Sequence, residues 1–99
     1  MTKGTLIDFQ EELEGIKGEI RQLRRRSEDD MPGWADEVSA AIEEVLEIEI
    51  EVHAKCRRRL GLIRKWMART HFTNGKEGQR LVERAYSEMG GILNDYFEQ

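Results

Sequence analysis

DEVSAAIEEVLEIEIEVHAKCRRRLGLIRKWMART, running from Asp36 to Thr70, contains no proline and one glycine, Gly61. At about 100° per residue, Val38, Ala41, Ile42, Val45, Ile48, Val52, Cys56, Leu60, Ile63, Trp66 and Met67 fall on one apolar face. Charge divides along the same axis. Asp36, Glu37, Glu43, Glu44, Glu47, Glu49 and Glu51 come first with no base among them; Lys55, Arg57, Arg58, Arg59, Arg64, Lys65 and Arg69 follow with no acid. Within the stretch, Leu46 to His53 alternates with period two and is rich in β-branched residues, which in isolation signals a strand. No turn residue brackets it, however, and the helical stripe crosses it without a phase break. Acids early and bases late also suit the helix macrodipole, and Glu51 to Lys55 is a favourable i,i+4 pair. The stretch therefore predicts one long amphipathic helix.

On that helix Glu49 projects into the apolar stripe and Arg59 lies at its edge. An unpaired buried carboxylate is costly, so Glu49 needs water or a partner. Two copies meeting antiparallel would lay each acidic half along a basic half and bring Glu49 towards Arg59 of the other chain. A parallel meeting would stack acids on acids.

Upstream, Thr5 to Asp8 has capping-box-like spacing and opens a first helix. Leu6, Phe9, Leu13, Ile16, Ile20 and Leu23 then step by three and four, an a/d seam narrower than a globular helix normally shows. In a parallel pair of such seams Glu12 would oppose Lys17 and Glu19 would oppose Arg24. Gly15 and Gly18 lie on the outer side, each costing about 0.5–1 kcal/mol relative to alanine. Arg24, Arg25 and Arg26, followed by Ser27 and three acids, end the seam, and Met31-Pro32-Gly33 reads as a helix break.

Downstream, Asn74-Gly75 supplies a stop and Asn74 caps a last helix. That helix carries a wide apolar face of Leu81, Val82, Ala85, Tyr86, Met89, Ile92, Leu93, Tyr96 and Phe97. Gly90-Gly91 marks a bend or a close crossing. The expected architecture is thus an all-α domain of three helices, at 5–29, 34–71 and 76–97, closing as a helical-bundle or coiled-coil homodimer. Its interface would use Leu6, Phe9, Leu13, Ile16, Ile20, Leu23, Glu49 and Arg59; a dimer of dimers would accommodate both helix pairings.

The whole 99-residue chain is 38% hydrophobic and 36% charged, with net charge −4, which excludes a protein coated in cations yet leaves room for a local basic patch. A lone cysteine, Cys56, on the apolar face reads as a buried thiol in a reducing, intracellular compartment, cytoplasmic or nuclear. No apolar run approaches the roughly 20 residues that span a bilayer. Catalytic motifs are missing: there is no P-loop, dinucleotide fingerprint or nucleophile elbow. His53 and Cys56 stand three apart without a second pair, so no metal site, cofactor or small-molecule substrate is expected. Two GxxG tetrads, at Gly15 and Gly75, lack the flanking strands of a nucleic-acid-binding KH loop and read as ordinary glycines.

The functional lead is the basic run. Arg57, Arg58, Arg64, Lys65 and Arg69 are expected to fan over the outer face of the long helix, joined by Arg24, Arg25 and Arg26. Arginine forks match phosphate oxygens, and a row of them gains affinity by releasing counterions. Without exposed aromatic platforms the face would hold the backbone of a duplex, RNA in preference to DNA, and read no bases. That would suit a small viral or regulatory protein. The competing expectation is a coiled-coil assembly or adaptor protein whose helices exist to pair with other proteins.

Overall fold

The stretch from Asp36 to Thr70 is two helices, not one. The computed structural model describes residues 2–3, 6–25, 31–49, 51–70 and 75–97. Its helices are α1 (Leu6–Leu23), α2 (Met31–Leu46), α3 (Ala54–Thr70) and α4 (Gly75–Tyr96); β1 (Thr2–Lys3) and β2 (Ile48–Glu49) form a minimal parallel pairing, Thr2 opposite Ile48 and Lys3 opposite Glu49. The described residues are all-helical apart from this two-residue ladder, and they form four helices where three were expected.

The break falls where the period-two run lies, and its causes are local. Continuing the helix would place Glu49 in the apolar stripe. The break itself leaves Glu43, Glu44 and Glu47 at a helix C-terminus, where the macrodipole disfavours acids, and α2 has no base in its last turn. The end is closed from outside by Arg57, whose Nη1 donates to the Leu46 carbonyl and Nη2 to the Ile48 carbonyl, both at 3.0 Å. The chain re-enters helix at His53. Its carbonyl accepts from the Cys56 N–H at 2.9 Å, and its ring Nδ1 accepts from the Lys55 N–H at 3.1 Å, an N-cap made by an imidazole.

Folding back at 47–53 places α2 antiparallel to α3. Ser39 Oγ donates to the Arg64 carbonyl at 3.3 Å and Arg64 reaches Glu43 at 3.6 Å, while Arg57 meets Leu46 at the other end. The acid-to-base matching expected between two copies is thus achieved inside one. Each helix also runs antiparallel to the next. Phe9 at the start of α1 stacks on Phe97 just beyond α4, with ring centroids 5.9 Å apart, and Arg24 beyond the end of α1 pairs with Glu83 at 2.6 Å. Contacts join α1 to α2, α2 to α3, α3 to α4 and α4 back to α1, an up-down-up-down bundle.

The core lies along the bundle axis. Phe9, Leu13, Ile16, Ile20 and Leu23 come from α1; Ala35, Val38, Ile42 and Val45 from α2; Cys56, Leu60, Ile63 and Met67 from α3; Val82, Ala85, Met89, Ile92 and Leu93 from α4. All but Leu93 are at most 3% exposed. The α1 seam assigned to a dimer interface is therefore consumed within the chain, Leu6 excepted at 51% exposed. The physical reason is closure: three helices leave one side of the α2–α3–α4 core open to water, and the narrow α1 seam covers it. The radius of gyration, 13.1 Å, equals the roughly 13 Å expected of a self-contained domain of about 100 residues.

Met31, Pro32 and Gly33 do not break a helix but begin one. Proline is tolerated there because first-turn N–H groups have no intrahelical acceptor to lose. The Glu49 side chain and Arg26 lie outside the described residues.

Candidate phosphate-binding face

The seven cations of α3 point three ways, because a helix whose inward stripe is Cys56, Leu60, Ile63, Met67 and Thr70 has two flanks and one outer ridge. Arg57 and Arg64 lie on the α2 flank. Arg57 caps α2 and sits 5.9 Å over the Phe9 ring, and the half-buried Arg64 reaches Glu43. Arg59 lies on the α4 flank. Its Nε donates to Glu88, its Nη1 donates to Asp95 at 2.8 Å, and its guanidinium is 5.6 Å from the Tyr96 ring. The Asp95 hydrogen bond, seconded by Glu88 and Tyr96 and opposed by burial, holds this guanidinium more firmly protonated than usual. Arg59, expected at a contact between copies, thus ties α3 to α4 within the chain.

The outer ridge is what remains. Arg58, Lys65 and Arg69 recur at helical spacing, with Lys55 one turn before them, and all four are exposed. Leu62, at 42% exposure, stands in the middle of the ridge. Among the described residues no carboxylate pairs with Arg58, Lys65 or Arg69. From Lys55 to Arg69 the ridge runs about 21 Å at 1.5 Å per residue.

Of the eight arginines and lysines expected to hold phosphate, the structure brings Arg58, Lys65 and Arg69 together on the ridge. Arg57 and Arg64 are committed to α2. Arg24 donates to Glu83 and lies 4.8 Å over the Tyr86 ring, and that hydrogen bond raises its pKa. Arg25 is exposed near the end of α1.

The ridge ends at a groove the sequence reading did not foresee. Arg24, Arg69, Lys76, Arg80 and Arg84 line it with Glu77 and Glu83, a cavity of about 1000 Å³ at the end of the bundle. Its α4 cations were not singled out because the last helix read as a core element with a mixed outer face. The signal was there: Lys76, Arg80 and Arg84 recur every four residues. Trp66, expected in the core, is half-buried, and Arg84 covers its ring at 5.5 Å.

Other chemistry is spent on structure. Cys56 is fully buried, and burial pushes its thiol pKa up against the opposing pull of Arg59 and Arg57. The His53 ring is used for its cap and lies 5.7 Å from that of Tyr96. Among the described residues no three His, Cys, Asp or Glu side chains gather as for a metal ion, and no helix is long and apolar enough to cross a membrane. No known family, curated protein or solved structure matches the chain.

Proposed function

We propose that this chain is a non-enzymatic nucleic-acid-binding protein that holds the phosphate backbone of a duplex along the outer ridge of α3. The observation that carries the reading is a division of labour: Arg57, Arg59 and Arg64 engage the bundle, while Arg58, Lys65 and Arg69 are exposed and, among the described residues, paired with no carboxylate. A ridge of cations around one leucine has no aromatic platform for bases, so contact is with backbone and groove shape, and double-stranded RNA is the favoured ligand. The reading places the protein in a reducing cellular interior, where a lone thiol persists. One copy suffices, since the ridge is complete in a single chain. A second reading, an adaptor docking the helix of another protein, is favoured by the exposure of Leu62 on the ridge and of Leu6 and Ile7 at the start of α1.

The test is a titration of a fluorescent 20-base-pair RNA, and the matching DNA, at about 50 and 200 mM salt. Three or four phosphate contacts give a log–log slope near −3 and a loss of about 50-fold across that range. Arg58→Glu with Lys65→Glu should abolish binding at the higher salt, with helix content and melting temperature retained. Absence of binding at the lower salt, or binding indifferent to both charge reversals, overturns the reading in favour of the adaptor.

A further inference from the structure

The groove at the end of the bundle carries more than an extension of the ridge. Its walls come from three places in the chain: Arg24 just past α1, Arg69 near the end of α3, and Lys76, Arg80 and Arg84 along the first turns of α4. Two of its cations are occupied. Arg24 holds Glu83 at 2.6 Å and Arg84 lies over Trp66. Arg69, Lys76 and Arg80 are exposed, and among the described residues none of them is paired with a carboxylate. Lys76, Arg80 and Arg84 also stack on one side of α4 at i, i+4 and i+8, an arrangement that costs helix stability through like-charge repulsion. A multiply charged anion seated among them would relieve that cost.

We infer that this groove binds a terminal phosphate group, a phosphomonoester or a longer phosphate chain, through Arg69, Lys76 and Arg80. The inference rests on the backbone-binding reading for its polynucleotide source and stands without it for the phosphate chemistry. Compact multivalent charge is the ligand class because the free cations come from two helices and converge on one opening; a bridging phosphate with its single charge would leave two of them unmatched. Arg69 belongs to both ridge and groove. A duplex lying on Arg58 and Lys65 is therefore directed with one end towards Lys76 and Arg80, and the surface would tell a phosphorylated end from a hydroxyl end.

The experiment uses the full chain, inorganic tripolyphosphate as the first probe, and otherwise identical RNA duplexes ending in 5′-hydroxyl, 5′-monophosphate or 5′-triphosphate. Tripolyphosphate should raise the melting temperature and move the backbone amide resonances of Arg69, Lys76 and Arg80. Lys76→Glu with Arg80→Glu should remove both effects, with helix content unchanged. Arg58→Glu with Lys65→Glu should leave them intact even though duplex binding fails, so failure of the ridge and failure of the groove are read separately. If the source is a polynucleotide end, the 5′-triphosphate duplex binds about tenfold more tightly than its hydroxyl counterpart, and the Lys76→Glu, Arg80→Glu variant erases the difference. Tripolyphosphate binding without any end preference assigns the groove to free phosphate compounds. The inference is overturned if tripolyphosphate leaves melting and resonances unmoved, or if the Lys76→Glu, Arg80→Glu variant responds as the wild type does.

Discussion

Arg57 and Arg58 are neighbours of the same kind with opposite duties, and the difference is where the helix turns each guanidinium. Arg57 donates to the carbonyls of Leu46 and Ile48, which close the C-terminus of α2. Truncation would leave two carbonyls short of a donor in a half-buried turn, at a cost of about 1–3 kcal/mol. Arg57→Ala is therefore expected to lower the urea midpoint clearly, whereas Arg58→Ala should change stability by less than about 0.5 kcal/mol and act on ligand binding alone. Equal destabilisation by the two would refute the sorting of α3. Gly90 and Gly91 make a second contrasting pair. A Cβ at Gly90 would meet the Lys17 side chain at an ordinary 3.8 Å, but at Gly91 it would come within 2.6 Å of Arg59 Nη2. That guanidinium is anchored by Glu88 and Asp95, so making room breaks the tie between α3 and α4. Gly90→Ala should gain about 0.5–1 kcal/mol from helix propensity, and Gly91→Ala should lose most or all of that gain. Parallel thermal melts decide it: an equal rise for both would show that Arg59 gives way freely.

At the level of elements, the helical stripes were readable and the turn within them was not. Val38, Ile42, Val45, Cys56, Leu60, Ile63 and Met67 are core residues as their 3.6-residue spacing implied, because periodicity reports which side faces inward. The same stripe ran through Leu46 to His53 in phase, so the spacing alone could not show that the chain reverses there. Deciding that required the partners: Thr2 and Lys3 beside β2, and Arg57 over the end of α2. Charge complementarity was likewise correctly perceived but assigned between molecules, since a sequence does not say whether two antiparallel segments belong to one chain. For the site, Arg58, Lys65 and Arg69 were recoverable from helical phase. The loss of Arg57 and Arg64 to internal contacts was not, because their acceptors lie on other elements. One inter-element contact works against the fold. Burial, then the charges of Glu37 and Glu12, push the Glu19 pKa above its ordinary value of 4.5. A carboxyl that holds its proton more tightly folded than unfolded stabilises at low pH, and that contribution is lost as pH rises through its raised pKa. Glu19→Gln should thus raise stability at pH 7 by a few tenths of a kcal/mol, with the gain shrinking as pH falls towards about 4. A gain independent of pH would show that Glu19 acts through packing and not through its charge.

For the molecule as a whole, the decisive question is whether one chain contains its own core. A chain this short gains from association when its apolar surface exceeds what it can cover, and an isolated a/d seam on α1 would be such surface. In the bundle that seam faces α2 and α4, and Phe9, Leu13, Ile20 and Leu23 have no exposed surface. We therefore expect folding to need no second copy. Because mass action makes the melting temperature of an obligate dimer rise with protomer concentration, this chain should melt at one temperature from about 5 to about 500 μM. The seam residues should also behave as core residues. Leu13→Ala removes a fully buried side chain and should cost about 2–5 kcal/mol of unfolding free energy while leaving the sedimenting mass that of a single chain. A melting temperature that climbs with concentration, together with a Leu13→Ala variant that halves the sedimenting mass, would return the seam to an interface between copies. It would also reopen the α2–α4 core to water within each chain, since α1 cannot cover that core and pair with its own copy through the same five side chains.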